Sequence, residues 1–345
     1  MSTTSKGILA VAMTALAAAA IAGCAVPNLT PQENEASGAE DSPAARLPPS
    51  NDKPADDTSA PGTSTPPASD PTTPPSNPMP GAKCDLTKPF GAPVLVAGLP
   101  THQHFATPRL SSDERTIFFT TKVGTQSRIA RAVRAAGATA FGAATVLDAQ
   151  SSPSKDNDPS VRADGTMLFF SSERGGAKDK LYVAIAPAAG SPFGAPMMVS
   201  GVGSTDADEQ HPYYRVAGGG ELWFSSTRGG QWEIWTAKKS GTAFATPVRV
   251  EELRNAEATR QPMISEDGLT IVFASERAGG SGQRDLWMAR RATTATPFGS
   301  PEALSTVNSA SDEFAGWLSP DGCRLYFSSD RLAANTHNVY VASRP

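Results

Sequence analysis

The chain has 345 residues and a formal net charge of −4, and its composition divides it into two unlike parts. Every Phe, Trp and Tyr residue follows residue 82, so the first part lacks the side chains from which a hydrophobic core is usually built. Residues 25–82 hold eight acidic residues against Arg46 and Lys53, a net charge of −6, which leaves the second part near neutrality. Because neither part carries a basic footprint, no binding to nucleic acid is expected.

Residues 1–24 predict export. A single positive charge precedes an apolar run over residues 8–22, which is short for a membrane-spanning helix and typical of a signal peptide. The segment ends in Ile-Ala-Gly-Cys at residues 21–24, which resembles the lipobox of bacterial lipoproteins. The resemblance implies cleavage before Cys24, acylation of that cysteine and, since Ala25 rather than Asp follows it, a place at the outer membrane or cell surface. The alternative is a secreted chain that is cut nearby and keeps a free thiol.

Residues 25–82 are dominated by Pro, Ser, Thr, Asp and Ala and have no aromatic residue. Such a segment buries too little apolar surface to offset the entropy that ordering would remove, so we expect a disordered, extended tether. The tether would hold the rest of the chain, residues 83–345, away from the lipid anchor.

The rest of the chain repeats one motif: a Ser/Ala-x-Asp-Gly turn, a strand that reads apolar-x-Phe, two small hydroxyl residues and often an Arg. Its clearest copy covers residues 319–331. The apolar residues alternate along the strand and therefore share one face of a sheet. The five copies of the apolar pair are Ile117 and Phe119, Leu168 and Phe170, Leu222 and Phe224, Ile271 and Phe273, and Leu325 and Phe327.

A second marker, Phe followed by Gly or Ala, recurs at intervals of 51, 52, 51 and 54 residues, starting at Phe90. Repetition at this period, with short strands and Gly-Pro turns, predicts a β-propeller in which each repeat is one four-stranded sheet, or blade. Within a blade we expect an inner strand before the turn, a second strand ending at the hydroxyl pair, a third strand with a recurrent Ala, and a fourth strand after the Phe marker.

These motifs resemble the TolB-type, WD-like propeller repeat of bacterial envelope proteins, and the resemblance covers residues 85–345. It implies an all-β propeller of the envelope and is much less specific for function. TolB itself has six such blades and an amino-terminal α/β domain, whereas this chain has five copies preceded by the expected tether.

The last repeat lacks a fourth strand, while one strand-like segment, residues 90–97, precedes the first repeat. We expect that segment to pair with residues 339–342 and close a ring of five blades, which removes both open edges. Cys84 precedes the segment and Cys323 lies in the last turn, so both belong to the same end of the closing blade. In an exported protein the two can form a disulfide bond, and two free thiols are the alternative.

Alignment of the repeats on their turns brings several polar residues to the start of the inner strands, at the mouth of the central channel. The candidate binding residues are His104, Asp156, Asp208, Glu209, Asp312 and Glu313. Such a rim could bind a peptide, a glycan or a cation. Since Asp156, Glu209 and Glu313 recur with the repeat, the favoured interpretation is that they pair with the strand-end arginines Arg174, Arg228 and Arg331 and brace the blades.

The sequence shows no set of residues that specifies a reaction. His102 and His104 could face one side of a strand, and residues 156–158 begin like a calcium loop, but neither pattern continues to a full ligand set. Nucleophile elbows, phosphate loops and metalloprotease motifs are absent from the sequence. We therefore expect no cofactor and no metal.

The favoured hypothesis is a non-catalytic, monomeric, lipid-anchored module that binds an envelope protein, peptide or glycan and touches the membrane through its anchor alone. The alternative is a glycan-cleaving enzyme with a pair of acids at the channel mouth. Its candidate acids are Asp158, Asp208, Glu209, Asp312 and Glu313. A structural spacer without a ligand is a third possibility.

Overall fold

The structure, a computed structural model, describes residues 83–101 and 105–345. The expected signal peptide, the lipidation site Cys24, the tether and His104 lie outside these described residues. Within them there is no α-helix and no helix long and apolar enough to cross a membrane. What they contain is a set of short strands and three turns of 3-10 helix, at Asp148–Gln150, Ala217–Gly219 and Glu251–Leu253.

The strands form five sheets: four are built from consecutive strands of one repeat, and the fifth combines three strands of the last repeat with the first strand of the chain. The chain begins with β1 (Val94–Leu95). Blade 1 consists of β2 (Ala106–Leu110), β3 (Thr116–Val123), β4 (Gln126–Val133) and β5 (Thr145–Val146). Blade 2 consists of β6 (Asp156–Val161), β7 (Met167–Ser172), β8 (Lys180–Ile185) and β9 (Met197–Met198). Blade 3 consists of β10 (Glu209–Arg215), β11 (Glu221–Ser226), β12 (Glu233–Ser240), β13 (Ala243–Phe244) and β14 (Val248–Arg249).

The last two blades complete the ring. Blade 4 consists of β15 (Thr259–Ile264), β16 (Thr270–Ser275), β17 (Asp285–Arg290) and β18 (Glu302–Ala303). Blade 5 consists of β19 (Glu313–Leu318), β20 (Arg324–Ser329), β21 (Asn338–Ser343) and the amino-terminal β1. The fold is therefore a five-bladed β-propeller, as the repeat predicted.

The closing strand is placed as the sequence indicated. β1 pairs antiparallel with β21, with Val94 opposite Val341 and Leu95 opposite Tyr340. The Gly91 N–H donates to the Ser343 carbonyl oxygen at 2.7 Å and extends the pairing beyond the strand. The pairing seals the ring, because the last blade would otherwise present an open sheet edge.

Two further links stabilise the closure of the ring, one within blade 5 and one between blade 5 and blade 1. Cys84 and Cys323 are joined by a disulfide bond, with their Cα atoms 5.7 Å apart. In blade 1 the turn carries Glu114 at φ 57°, a position that is glycine in most other copies. The side chain of Glu114 is buried and accepts hydrogen bonds from Arg324 Nε at 2.8 Å and from the Tyr326 hydroxyl at 2.9 Å. The departure from the motif thus gives blade 1 a charged contact to blade 5.

The core lies between the blades. The motif phenylalanine of each second strand is fully buried, and it packs among the apolar residues of neighbouring strands and blades. These side chains are Phe119, Phe170, Phe224, Phe273 and Phe327. Because one face of each second strand is buried in this way, the register of its pairing with the inner strand is fixed. The register in turn determines which side chains of the inner strand face the channel.

Candidate functional site

The inner strands share an irregularity that shapes the channel. In blades 1 to 4, one residue of the inner strand has a left-handed backbone, and the ladder with the second strand shifts at that point. The φ angles lie between 50° and 58°, a conformation that is strained for residues other than glycine. The four residues are Thr107, Asp158, His211 and Gln261. In blade 5 the shift lies beside Gly316, where a side chain would collide with the Tyr326 carbonyl oxygen.

The first hydroxyl of the repeat motif serves this irregularity. Thr120 Oγ1 in blade 1 accepts the N–H of Asp158 in blade 2 at 2.9 Å, and Ser225 Oγ in blade 3 accepts the N–H of Gln261 in blade 4 at 2.9 Å. At such a bulge the N–H of the left-handed residue no longer pairs with the second strand of its own sheet. Because this N–H is buried, it needs another acceptor. The hydroxyl therefore ties one blade to the next.

The second hydroxyl supports a buried ion pair inside three of the blades. An acid at the start of the inner strand contacts the strand-end arginine, and the favoured interpretation, that these acids and arginines pair, is confirmed. The nitrogen–oxygen distances are 2.6 Å for Arg174 and Asp156, 3.0 Å for Arg228 and Glu209, and 2.9 Å for Arg331 and Glu313. The motif serine of the same blade donates to each acid, from Ser172, Ser226 and Ser329.

This placement corrects the expectation that Asp156, Glu209 and Glu313 line a binding mouth. All three acids have no exposed surface, and their oxygens are occupied by arginine and serine donors. The cause is the alternation of side chains along a strand, which turns this position into the blade and toward the arginine of the second hairpin. A buried carboxylate must be paired in this way, so these acids brace the fold.

Two other candidates bind neighbouring blades instead of a ligand. Asp208 Oδ1 in blade 3 accepts the backbone N–H of Asp179 in blade 2 at 3.1 Å, and Asp312 Oδ1 in blade 5 accepts that of Arg284 in blade 4 at 3.2 Å. Both carboxylates are half-buried at the strand-start end of the ring. They lie near the channel mouth, but each has one oxygen committed to the adjacent blade.

The mouth at the strand-start end presents a different set of acceptors. Asp158 accepts the Ser171 hydroxyl at 2.7 Å through Oδ2, and its Oδ1 lies 3.7 Å from His211 Nε2. Asp179 accepts Gln210 Nε2 through Oδ2, whereas its Oδ1 is buried without a hydrogen-bond partner among the described residues. His211 Nδ1 is likewise buried and without a partner there. We call this end, with Asp158, Asp179, Gln210 and His211, the strand-start mouth.

Cations and aromatic rings complete the strand-start mouth on the side of blades 4 and 5. Arg260 and Arg284 share one carboxylate oxygen of Glu276, at 2.9 and 3.3 Å. The guanidinium of Arg260 lies 5.5 Å from the Trp232 ring centre, and that of Arg284 lies 4.4 Å from the Phe314 ring centre. All five side chains are half-buried, so they remain within reach of a bound molecule.

Burial shifts the ionisation of the two acceptors that have unpartnered atoms. Burial lowers the pKa of His211 to about 4, and Arg260, Arg109 and Arg284 contribute in the same direction against Asp158. Burial raises the pKa of Asp179 to about 6, and the nearby carboxylates of Asp158, Glu173 and Asp208 add to the rise against the Gln210 hydrogen bond. At neutral pH, therefore, the imidazole of His211 is neutral, and the carboxylate of Asp179 is ionised although its burial disfavours the charge.

Arg109 lies in the channel between the two ends. It comes from the inner strand of blade 1 and reaches across to blade 4, where its Nη2 is 3.4 Å from the Pro262 carbonyl oxygen. Its guanidinium is 5.2 Å from the ring centre of Tyr213 in blade 3, and its Nη1 is buried without a hydrogen-bond partner among the described residues. Burial lowers the pKa of Arg109 to about 10, so the side chain stays charged at neutral pH.

The opposite, turn-side end of the channel is apolar. A cavity of about 180 Å³ opens there, and the last residues of inner strands from all five blades contribute to its wall. Its apolar and aromatic wall residues are Leu110, Val161, Tyr213, Tyr214, Trp317 and Leu318. We call it the turn-side pocket.

Within residues 83–101 and 105–345, no three or more His, Cys, Asp and Glu side chains are grouped so as to hold a metal ion. His102 and His104, the histidines that the sequence singled out, lie outside these ranges. The polar groups of the strand-start mouth can bind hydroxyl, amide or charged groups of a ligand through hydrogen bonds.

Neither a family model nor a curated protein matches the sequence. Solved structures with a similar fold include a TolB from Acinetobacter baumannii, the class that the repeat resembles. It is 15% identical with a TM-score of 0.45, and the match covers 71% of this chain and 56% of that one. The chain thus spans little more than half of that protein's length.

Glycoside hydrolases are also among the similar structures. A putative glycoside hydrolase from Bacteroides ovatus is 11% identical with a TM-score of 0.50, and the match covers 74% of this chain and 96% of that one. A thermostable family-43 glycoside hydrolase is 11% identical with a TM-score of 0.51, with 71% and 90% covered. At such identities the likeness shows the propeller fold alone.

Sequence reasoning missed the residues that matter most at the strand-start mouth. Asp179 and His211 belong to no repeat marker, and their burial depends on side chains from adjacent blades. One signal was available: a proline follows each left-handed residue, at Pro108, Pro159, Pro212 and Pro262. Proline cannot join a central ladder, so its recurrence at the repeat interval marks the bulge and the residue before it.

Proposed function

We propose that the chain is an exported, lipid-anchored recognition module of the bacterial envelope that binds a protein, peptide or glycan at the strand-start mouth without catalysis. One observation carries the proposal: the recurrent acids of the repeat are held in internal ion pairs, whereas Asp179 Oδ1 and His211 Nδ1, two of the buried polar atoms without a hydrogen-bond partner among the described residues, both lie at this mouth. Buried polar atoms without partners are uncommon in native proteins and need an explanation. A ligand that donates hydrogen bonds supplies one.

The position of the mouth on the ring supports the same proposal. The chain enters the propeller at Cys84, whose partner Cys323 lies in a turn at the turn-side end. The strand-start mouth is at the other end of the channel. A ligand at the strand-start mouth would therefore bind at the end of the channel opposite the disulfide bond and the start of the described chain.

Photocrosslinking in cells tests the proposal. A photoreactive residue in place of Gln210, at the rim of the mouth, is expected to give one predominant adduct, whose mass identifies a protein, a peptide or a glycan. The matched control carries the same residue in place of Lys238, an exposed position on the same blade, which also lines a turn-side cavity. Adducts from the Lys238 position alone, or a Gln210 adduct that Arg260→Ala does not weaken, would rule out binding at the mouth.

One observation favours a second candidate, a glycan hydrolase that uses Asp158 and Asp179. Glycosidases pair a carboxylic acid of raised pKa with a second carboxylate, and burial raises the pKa of Asp179 to about 6 next to Asp158. In this candidate Asp179 would protonate the leaving oxygen and Asp158 would act as the base or nucleophile. Glu209 and Glu313 are excluded from the pair because both are buried in ion pairs.

A panel of cell-wall and plant polysaccharides distinguishes the two functions. Hydrolysis that is lost in both Asp158→Asn and Asp179→Asn but kept in Asp208→Asn would establish the hydrolase and overturn the non-catalytic proposal. The absence of hydrolysis by the full chain, together with a Gln210 adduct, would support the binding module.

A further inference from the structure

The turn-side pocket has the chemistry of a binding groove. Its wall combines the rings of Tyr213, Tyr214 and Trp317 with aliphatic side chains, and Pro320 lies at its rim. Among its wall residues only Glu266 carries a charge, and that carboxylate accepts the backbone N–H groups of Val216 and Ala217. The pocket therefore suits an uncharged, apolar segment.

A second cavity, of about 220 Å³, continues the pocket along the same face. The two share Ser265, Glu266, Leu318, Ser319 and Pro320. The second is also lined by Leu86 at the start of the described chain and, unlike the turn-side pocket, by several charged residues, namely Asp267, Arg290, Asp321 and Arg344. Together they form a track that leads from the channel axis toward the point where the amino-terminal chain enters.

That point of entry is fixed. Besides the disulfide bond between Cys84 and Cys323, the Asp85 N–H donates to the Pro345 carbonyl oxygen at 2.8 Å, and Arg344 Nη1 donates to the Leu86 carbonyl oxygen at 2.7 Å. Cys323 follows Pro320 by three residues in the same turn, so the chain before Cys84 starts within roughly 17 Å of the pocket rim. Five or six extended residues span such a distance.

The sequence before Cys84 matches the pocket in composition. Residues 71–80 contain five prolines, at positions 71, 74, 75, 78 and 80, and residues 71–82 contain no charged residue. Proline-rich segments adopt the polyproline II conformation, which is already extended and loses little entropy on binding, and they dock into grooves lined by Tyr and Trp. The acidic part of the expected tether lies further toward the amino terminus.

We propose that residues 71–80 of this chain dock as a polyproline II segment into the turn-side pocket. Three residues separate these ten from Cys84, so their distance along the chain from the entry point allows them to reach the pocket. Because the segment is part of the chain, its effective concentration at the pocket is high, and weak contacts are sufficient. The proposal is independent of a ligand at the strand-start mouth.

Photocrosslinking of the purified full chain in detergent tests this docking. With p-benzoylphenylalanine in place of Met79, irradiation is expected to link that position to the peptides that hold Tyr213, Tyr214 and Trp317. A matched chain with the reporter in place of Ser59, in the acidic part of the tether, is expected to give no preferred product. A second variant changes prolines 74, 75, 78 and 80 to Gly in the Met79 reporter chain. It alters no residue of the propeller, and the pocket crosslinks should fall about tenfold because the segment loses its preformed conformation.

Three other outcomes of the crosslinking experiment would each overturn the proposal that residues 71–80 dock into the turn-side pocket. Equal yields with and without the four prolines would show that contact with the pocket is incidental. Products that join two molecules, detected with a mixture of light and heavy chains, would assign the pocket to a second copy. Crosslinks scattered over the surface of the ring would show that the segment does not dock.

Discussion

The two ends of the channel are built from the same inner strands but have opposite chemistry. The strand-start mouth is lined by polar and charged side chains such as Asp179 and His211, whereas the turn-side pocket is walled mainly by apolar and aromatic side chains and lies near the disulfide bond. The repeat motif explains what the blades have in common, including the hydroxyl pair and the bracing arginines. The residues that distinguish the ends, such as Asp179, His211, Tyr214 and Trp317, lie outside that motif. In this repeat protein, the residues that give each end of the channel its own binding chemistry therefore lie at positions that do not recur in every blade.

Breaking a bracing ion pair is expected to give the largest effect. Glu209→Ala leaves Arg228 and Lys180, which contact the carboxylate at 3.0 and 2.8 Å, as buried or half-buried cations without their partner. Loss of one member of a buried pair typically destabilises a protein by about 3–5 kcal/mol. Unfolding in urea measures the change. If Glu209→Ala loses less than about 1 kcal/mol, the strand-start end is not held by these pairs.

Blade 4 provides the matched control. Thr259 stands where blades 2, 3 and 5 have the acid, and its Oγ1 is 3.3 Å from Arg277 Nη2. Thr259→Ala removes one uncharged acceptor, so a loss of about 1 kcal/mol is expected. The difference between the two variants measures the contribution of the charge.

Removing the disulfide bond between Cys84 and Cys323 tests how much this bond, at the turn-side end, stabilises the ring. Cys84→Ser opens a loop with a sequence separation of 239 residues, and removal of a native disulfide typically lowers the free energy of unfolding by about 2–5 kcal/mol. Urea unfolding under non-reducing conditions gives the change, and added reductant should lower the stability of the parent chain but not that of the variant. Labelling of the denatured, non-reduced parent should find both thiols blocked. Free thiols at Cys84 and Cys323 in the parent chain would show that the disulfide bond does not form.

The sequence allowed the blades, the closing strand and the bracing pairs to be predicted because each depends on local periodicity or on residues that recur with the repeat. Asp156 and Arg174 are an example, since equivalent residues stand in blades 3 and 5. The site was predicted poorly for the opposite reason. The raised pKa of Asp179 results from its burial and from the nearby carboxylates of Asp158, Glu173 and Asp208, against the hydrogen bond from Gln210, and no periodicity predicts such contacts between strands and blades.

The buried acid Asp179 offers a smaller but sharper test. Because burial raises the pKa of Asp179 to about 6, its ionised form destabilises the folded chain at neutral pH. Asp179→Asn should therefore increase the free energy of unfolding at about pH 7.5 by about 1–3 kcal/mol, since one pKa unit corresponds to about 1.4 kcal/mol. The control is Asp208→Asn, a half-buried acid with a Lys178 partner at 3.2 Å, which should change little. A variant that is more stable but binds ligand less well would mark Asp179 as a functional residue; equal or lower stability would mean that its burial is compensated.

The smallest effect is a pH dependence in which two residues of one mouth oppose each other. The pKa of His211 is lowered to about 4 in the folded chain, so below its ordinary value of 6.5 the unfolded chain binds the proton and stability falls as the pH falls. The pKa of Asp179 is raised to about 6, so the folded chain takes up the proton first and stability rises as the pH falls through 6. Between about pH 7.5 and pH 5.5 each contribution amounts to about 1 kcal/mol, with opposite sign.

Variants separate the two contributions. Relative to the parent, His211→Gln should gain stability on acidification over this range, and Asp179→Asn should lose stability. The double variant should follow the parent closely, because both contributions are removed together. Urea unfolding of the four chains at the two pH values gives the slopes, and the other titrating groups cancel in the comparison. If His211→Gln and the parent share one slope, the imidazole is not buried in its neutral form, and the acceptor assigned to it at the strand-start mouth is lost.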